Sequence, residues 1–154
     1  MIILLLAVLI GVVAGLRTFT APAAISWAAH LGWLPLGDTP LAFMGYAWTP
    51  WILPVLALVE FVLDQLPSTP SRTVPTQFGA RIIMAAISGA AIGAPAGWLI
   101  VGGIAAIIGT VIGTLGGHAA RVRLAAAFRK DAPAAFIEDA VAILAAIAVV
   151  MLIR

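Results

Sequence analysis

The chain alternates long apolar runs with short polar connections. The longest run, residues 82–120, has 39 residues without a charged side chain, and Gly-Ala-Pro-Ala-Gly at residues 93–97 interrupts it. A membrane-spanning helix needs about 20 predominantly apolar residues. Because glycine and proline favour turns between helices, this run predicts two membrane helices joined by a tight turn.

The same pattern predicts an all-α, polytopic integral membrane bundle of about five spans. The first span begins at Ile2, is interrupted near Arg17–Pro22 and continues to about residue 29. The other spans cover about residues 42–63, 80–94, 97–119 and 133–153. No connection is long enough to fold separately, so residues 1–154 form a single transmembrane domain.

The composition agrees with a membrane protein and excludes several other classes. Hydrophobic residues make up 64% of the chain and charged residues 9%, whereas soluble domains carry about 25% charged residues. The chain has no cysteine, which excludes disulfides and thiolate metal sites. Its cations form no long basic face, so we expect membrane lipid, and no nucleic acid, as a partner.

The cations of the connections predict an orientation. One connection carries Arg72 and ends at Arg81, and the connection after the fourth span carries four more cations: Arg121, Arg123, Arg129 and Lys130. Cytoplasmic loops are enriched in Lys and Arg. With five spans both connections are cytoplasmic, the N-terminus is cytoplasmic and the C-terminus is outside.

Glycines recur every four residues in the third and fourth spans. They are Gly89, Gly93, Gly97, Gly109, Gly113 and Gly117. Small residues at this spacing lie on one helix face and allow close backbone approach. Such a glycine-zipper pattern packs helices within one chain or forms the interface of a homo-oligomer.

Three charged residues lie where their own helix dipoles disfavour them. Glu60 and Asp64 come at the C-terminal end of the second span, and Arg81 comes at the N-terminal end of the third. Acids are favoured at helix N-termini and cations at C-termini. We therefore expect Arg81 to pair with Glu60 or Asp64. The group is either a structural salt-bridge network or contains a protonatable carboxylate of a transport route.

Other charges lie at helix ends that suit them. Glu138 and Asp139 follow the start of the fifth span, and Arg121 ends the fourth. These three residues are expected to belong to the charge network with a structural role.

Arg17 is the most unusual residue of the chain. It lies about 20 Å along a helix from the start of the apolar segment, too far to reach the headgroups there. Thr18, Thr20 and Pro22 follow it. Because proline removes a backbone hydrogen bond and disturbs the preceding turn, Pro22 is expected to supply a break in the helix. The pattern predicts an interrupted helix or a short re-entrant pair, with Arg17 in the interior and the threonine hydroxyls satisfying freed backbone groups. Alternatively, Arg17 reaches the outer interface or pairs structurally with an acid.

Catalytic and metal-binding motifs are absent from the sequence. His30 and His118 are expected on opposite sides of the membrane, where they cannot share a metal ion. Phosphate-binding loops, zinc-protease motifs and serine-hydrolase motifs do not occur. We expect no cofactor, no metal and no enzyme activity.

Several of these segments together resemble a family of small bacterial integral membrane proteins. They are Gly15-Leu16-Arg17-Thr18-Phe19-Thr20-Ala21-Pro22, Glu60-x-x-x-Asp64-x-x-Pro67, Arg72, Gly79-Ala80-Arg81, the glycine-rich hairpin and Glu138-Asp139. The family is known as a domain of unknown function. The resemblance covers nearly the whole chain and implies a bacterial inner (cytoplasmic) membrane location, without implying an activity.

Two functions remain open. One is a transporter or permease for a small solute or lipid headgroup, with an anionic group bound at Arg17, Thr18 and Thr20 and coupling by Glu60 or Asp64. The alternative is a non-transporting accessory or assembly protein in which these charges are structural. A solvated cavity at Arg17 favours the first, and a dry bundle with every charge paired favours the second.

Overall fold

The computed structural model describes residues 1–66 and 74–154. Within these ranges every regular element is a helix, and Ala42–Gly45 and Ala94–Ala96 form short 3-10 turns. The α-helices are α1 (Ile2–Leu16), α2 (Thr20–His30), α3 (Thr49–Leu63), α4 (Pro75–Gly93), α5 (Leu99–Phe128) and α6 (Asp131–Ile153). The all-α class predicted from the sequence is therefore confirmed, and Arg72 lies outside the described residues.

In the described part of the chain, three helical segments are long and apolar enough to cross a membrane. They are α4 with its following turn (Pro75–Ala96), α5 and α6. Helices α1 and α3 are apolar but have 15 residues each, which corresponds to about 22 Å of helix. The molecule thus has the build of a helical membrane protein.

Helix α1 runs parallel to α5. Gly11 lies against Ala106, and Gly15 lies against Thr110. The hydroxyl of Thr110 donates to the Gly11 carbonyl at 3.0 Å, and that of Thr114 donates to the Gly15 carbonyl at 3.3 Å. The N-terminal end of α1 consequently lies at the end of the bundle where α5 begins.

Helix α2 returns antiparallel to α1. Phe19, at its start, bonds to Glu60 near the C-terminal end of α3, whereas Trp33, after its end, lies 5.2 Å from the guanidinium of Arg154 at the end of α6. The interruption predicted near Arg17 is therefore a reversal of the chain, in which α1 and α2 form a helical hairpin. Of the two predicted arrangements, an interrupted helix and a short re-entrant pair, the structure has the re-entrant pair.

This hairpin changes the predicted course of the chain. One continuous, interrupted first span would place the two chain ends on opposite faces of the bundle, but both lie at the same end. Arg17 has an extended backbone, with φ −140° and ψ 120°, and it directs the chain out of α1. Pro22 does not cause the break, because it lies in the first turn of α2, where proline's missing N–H costs no helical bond.

Glycines pack the helices at backbone contact distance. A Cβ at Gly109 or Gly113 would collide with the carbonyl oxygen of Val8 or Val12 in α1, and Gly89 lies equally close to Gly102 in α5. These contacts are all within one chain. Gly117 is partly exposed, and the homo-oligomer remains a prediction.

A glycine-to-alanine substitution at this contact tests the packing. We expect Gly113→Ala to lower the free energy of unfolding by about 1–3 kcal/mol, since a methyl group there displaces the backbone of α1. Gly116→Ala is the matched control, because a Cβ at Gly116 meets nothing within 4 Å. Replacing a helical glycine with alanine there should raise stability by about 0.5–1 kcal/mol.

Unfolding of both variants in a mixed-micelle detergent titration gives the comparison. If Gly113→Ala left the free energy of unfolding unchanged or raised it, α1 and α5 would have to lie farther apart at Gly113 than in this structure.

Candidate functional site

The break between α1 and α2 leaves polar backbone groups inside an apolar bundle. Helix α1 ends at Leu16 and α2 begins at Thr20. A helix end leaves carbonyls or N–H groups without helical partners. Within a membrane protein such groups need partners from the protein or from a water-filled cavity. Side chains of α3 and α4 supply these partners.

Glu60 of α3 closes the N-terminal end of α2. Its Oε1 accepts a hydrogen bond from the backbone N–H of Thr18 at 2.7 Å, and its Oε2 accepts one from the N–H of Phe19 at 2.9 Å. A carboxylate is the group that the positive end of a helix dipole favours. Glu60, disfavoured by the dipole of its own helix, is favoured by that of α2.

Arg81 of α4 closes the C-terminal end of α1 in the same way. Its side chain is buried, and Nη1 donates to the Gly15 carbonyl at 2.9 Å and to the Ala14 carbonyl at 3.5 Å. Its Nη2 lies 3.7 Å from Oε1 of Glu60. The predicted pairing of Arg81 with Glu60 is confirmed, and the reason is that each caps one side of the break.

Arg17 lies at the centre of the site and has no exposed surface. Its guanidinium forms ion pairs with Asp64 of α3 and Asp139 of α6, and it lies 5.4 Å from the ring centre of Phe61. The predicted interior position of Arg17 is confirmed. The Asp139 contact was not foreseen, because this acid already suits the N-terminal part of its own helix. The only sequence signal for such a contact is that a buried Arg17 needs a carboxylate partner from elsewhere in the chain.

Arg121 organises a second group of charges near the start of α6. It bonds to both oxygens of Asp131, at 3.0 and 2.6 Å, and lies 3.5 Å from Glu138. Glu138 adjoins Asp139 in the sequence, so the two groups meet on α6. The expected charge network therefore includes Arg121, Glu138 and Asp139 and links α5 to α6.

The threonines of the break have different surroundings from those expected. Thr18 contributes its backbone N–H, and Glu60, not a threonine hydroxyl, satisfies the break. The hydroxyl of Thr20 is buried and has no hydrogen-bond partner among the residues that the structure describes. For Thr20 the prediction that the hydroxyl satisfies a freed backbone group is wrong: the two acceptor oxygens of the Glu60 carboxylate take up the two N–H groups of the break.

A pocket of about 390 Å³ adjoins the break between α3 and α4. Its polar lining comes from Thr18, Glu60, Asp64 and Gln77, while Arg17 and Thr20 are not among the lining residues. The remaining lining is mainly apolar: Phe19, Leu56, Val59, Leu63, Leu66 and Ala80. Two carboxylates, one amide and an apolar wall can hold a small molecule or exchange a proton.

Comparison with protein-family models, curated proteins and solved structures found no match to this chain. The family resemblance drawn from the sequence stays a prediction. The argument for a function consequently depends on the geometry of the break and of the pocket beside it.

The two caps of the break should be energetically coupled. Removing one partner of a buried ion pair costs about 3–5 kcal/mol, since it leaves an uncompensated buried charge. We expect Glu60→Gln and Arg81→Met each to destabilise the protein by an amount of that order. The double variant should lose clearly less than the sum of the two.

Detergent-induced unfolding of the two single variants and the double variant measures this coupling. Asp131→Asn is the control: its side chain is 61% exposed, and exposed pairs contribute about 0–1 kcal/mol. Additive losses from Glu60→Gln and Arg81→Met would show that the two caps act independently.

Proposed function

We propose that the protein is a small transporter or permease of the bacterial inner membrane whose solute site is the pocket beside the α1–α2 break. The observation that carries this proposal is the pocket of about 390 Å³ that reaches Glu60, Asp64 and Thr18 at a break in the helices. Secondary transporters bind their substrates at helix interruptions of this kind. Charged groups inside a membrane protein are costly, and for that reason they commonly mark substrate or ion pathways.

In this proposal the residues of the break divide their roles. Arg17 holds Asp64 and Asp139 together and so positions the carboxylate that meets the solute. Both oxygens of Glu60 are engaged by backbone N–H groups, which leaves Asp64 as the better coupling residue. Thr18 contributes to the wall, and Thr20 supports the start of α2.

Helix α3 is the element that admits the solute. Of its residues, Pro50 and Ala57 are buried, and Pro54 lies inside the helix. A proline in a helix interior removes a hydrogen bond and permits bending. Glu60 and Asp64, at the end of α3, form ion pairs with Arg81 and Arg17. Binding of a solute or a proton at these carboxylates would weaken the ion pairs and allow this end of α3 to move.

We place the charge-rich end of the bundle in the cytoplasm, where α5 meets α6. Arg121, Arg123, Arg129 and Lys130 are all near that end, and cations are enriched in cytoplasmic loops. We propose six passes through the membrane in place of the expected five, made by α1, α3, α4, α5 and α6 and by the short helix α2, which returns the chain as the second arm of the hairpin. Because α1 runs parallel to α5, this orientation puts both chain ends outside, in place of the expected cytoplasmic N-terminus.

Cysteine labelling in whole cells tests this orientation. The chain has no native cysteine, so single substitutions report without background. A membrane-impermeant maleimide should label Gly37→Cys in intact cells, and should label Arg129→Cys only after the membrane is opened. Labelling of Arg129→Cys in intact cells would contradict the orientation.

Solute flux tests the transporter proposal. Purified protein in liposomes is supplied with three radiolabelled tracers that differ in charge: choline, lactate and mannitol. We expect at least one tracer to enter faster than into protein-free liposomes under an imposed pH gradient or membrane potential. Asp64→Asn should lower that rate by at least about tenfold, because it removes the carboxylate that faces the pocket.

Asp131→Asn is the matched control, as it removes a carboxylate that is exposed and is not among the residues that line the pocket. Its flux should equal that of the unaltered protein. Failure of all three tracers to enter, in protein that remains folded and monodisperse, would contradict transport.

A second candidate function is a non-transporting accessory or assembly protein. The observation that favours it is that the three arginines of the two charge groups all have carboxylate partners, as a purely structural network would. In that case Asp64→Asn lowers stability, and the unaltered protein moves no tracer.

A further inference from the structure

Carboxylates outnumber arginines among the described residues of the break. Arg17 and Arg81 face three carboxylates, Glu60, Asp64 and Asp139, in the part of the chain that the structure describes. Buried charges are costly unless they are paired. With all groups ionised, these five described residues carry one negative charge in excess, which favours a positively charged ligand over an anion at the carboxylate that a ligand can reach.

Asp64 is the carboxylate at which such a charge can arrive. Glu60 uses both oxygens on the N–H groups of Thr18 and Phe19, and Asp139 does not line the pocket. Asp64 lines it, its side chain is 17% exposed, and its Oδ2 is the atom paired with Arg17. This exposed fraction lets a ligand in the pocket reach the Asp64 carboxylate.

The rest of the pocket sets the chemistry of the ligand's body. Leu56, Val59 and Leu63 form an apolar wall along α3, and Phe19 and Leu66 extend it. Binding pockets combine apolar walls with a few polar groups that fix orientation. An apolar wall that leads to an excess carboxylate is complementary to a molecule with a hydrocarbon body and one positive charge.

We infer that the pocket binds an organic ammonium ion with an apolar substituent, its charge at Asp64 and its body against α3. This inference rests on the proposed function, since the same pocket is the solute site, and it names the substrate class. It replaces the anionic group expected from Arg17. An anion in the pocket would face two carboxylates, while Arg17 has no exposed surface and does not line the pocket.

Three probes of similar size separate the effect of charge from that of shape. Benzyltrimethylammonium is the cation, neopentylbenzene is its uncharged counterpart and benzenesulfonate is the anion. Protein is held in nanodiscs of phosphatidylcholine, and binding is measured by equilibrium dialysis against empty nanodiscs. We expect saturable binding of benzyltrimethylammonium, no competition by benzenesulfonate and at least about tenfold weaker competition by neopentylbenzene.

Two variants locate the binding. Asp64→Asn should weaken the affinity for benzyltrimethylammonium by at least about tenfold, and Asp131→Asn should leave it unchanged. Val59→Trp fills the pocket without altering a charge, so it should abolish binding even if Asp64→Asn does not fold. Saturable binding that Val59→Trp leaves intact, or preference for benzenesulfonate, would overturn the inference.

The binding and flux experiments fail separately. Binding of benzyltrimethylammonium without tracer flux would support the cation-binding pocket and contradict the transporter proposal. Flux of lactate without binding of benzyltrimethylammonium would support the transporter proposal and contradict the cation-binding pocket.

Discussion

A chain that reverses inside an apolar bundle must find partners for the backbone groups that both helix ends leave open. In this protein Glu60 accepts the N–H groups at the start of α2, and Arg81 donates to the carbonyls at the end of α1. The two side chains also face each other at 3.7 Å. The position of α3 and α4 beside the hairpin, and the pocket between them, follow from this pair of caps.

Part of this arrangement could be predicted from the sequence. Helix dipoles indicated that Glu60 and Arg81 were misplaced on their own helices, and that was enough to pair them. The dipoles that favour them belong to α1 and α2, which only the tertiary structure identifies. The direction of α1 could not be predicted, because glycines four residues apart allow close packing of parallel and of antiparallel helices.

The same side chains stabilise the hairpin and line the pocket, and this overlap shapes every functional test. Asp64 pairs with Arg17 and also faces the pocket, so its loss affects both packing and ligand. The sequence predicted that Arg17 binds a solute. In the structure Arg17 is fully buried and forms ion pairs with two carboxylates. Pocket shape and the apolar wall depend on side-chain positions that periodicity cannot indicate.

Hydrogen exchange at the backbone amides of Thr18 and Phe19 tests the cap on α2 most directly. NMR of ¹⁵N-labelled protein in detergent micelles should show both amides protected as strongly as those inside α2. Glu60→Ala should accelerate exchange at these two amides by at least about tenfold, while leaving the amides in the middle of α5 unchanged. Exchange at the rate of an unstructured peptide in the unaltered protein, or protection that survives Glu60→Ala, would contradict the carboxylate cap.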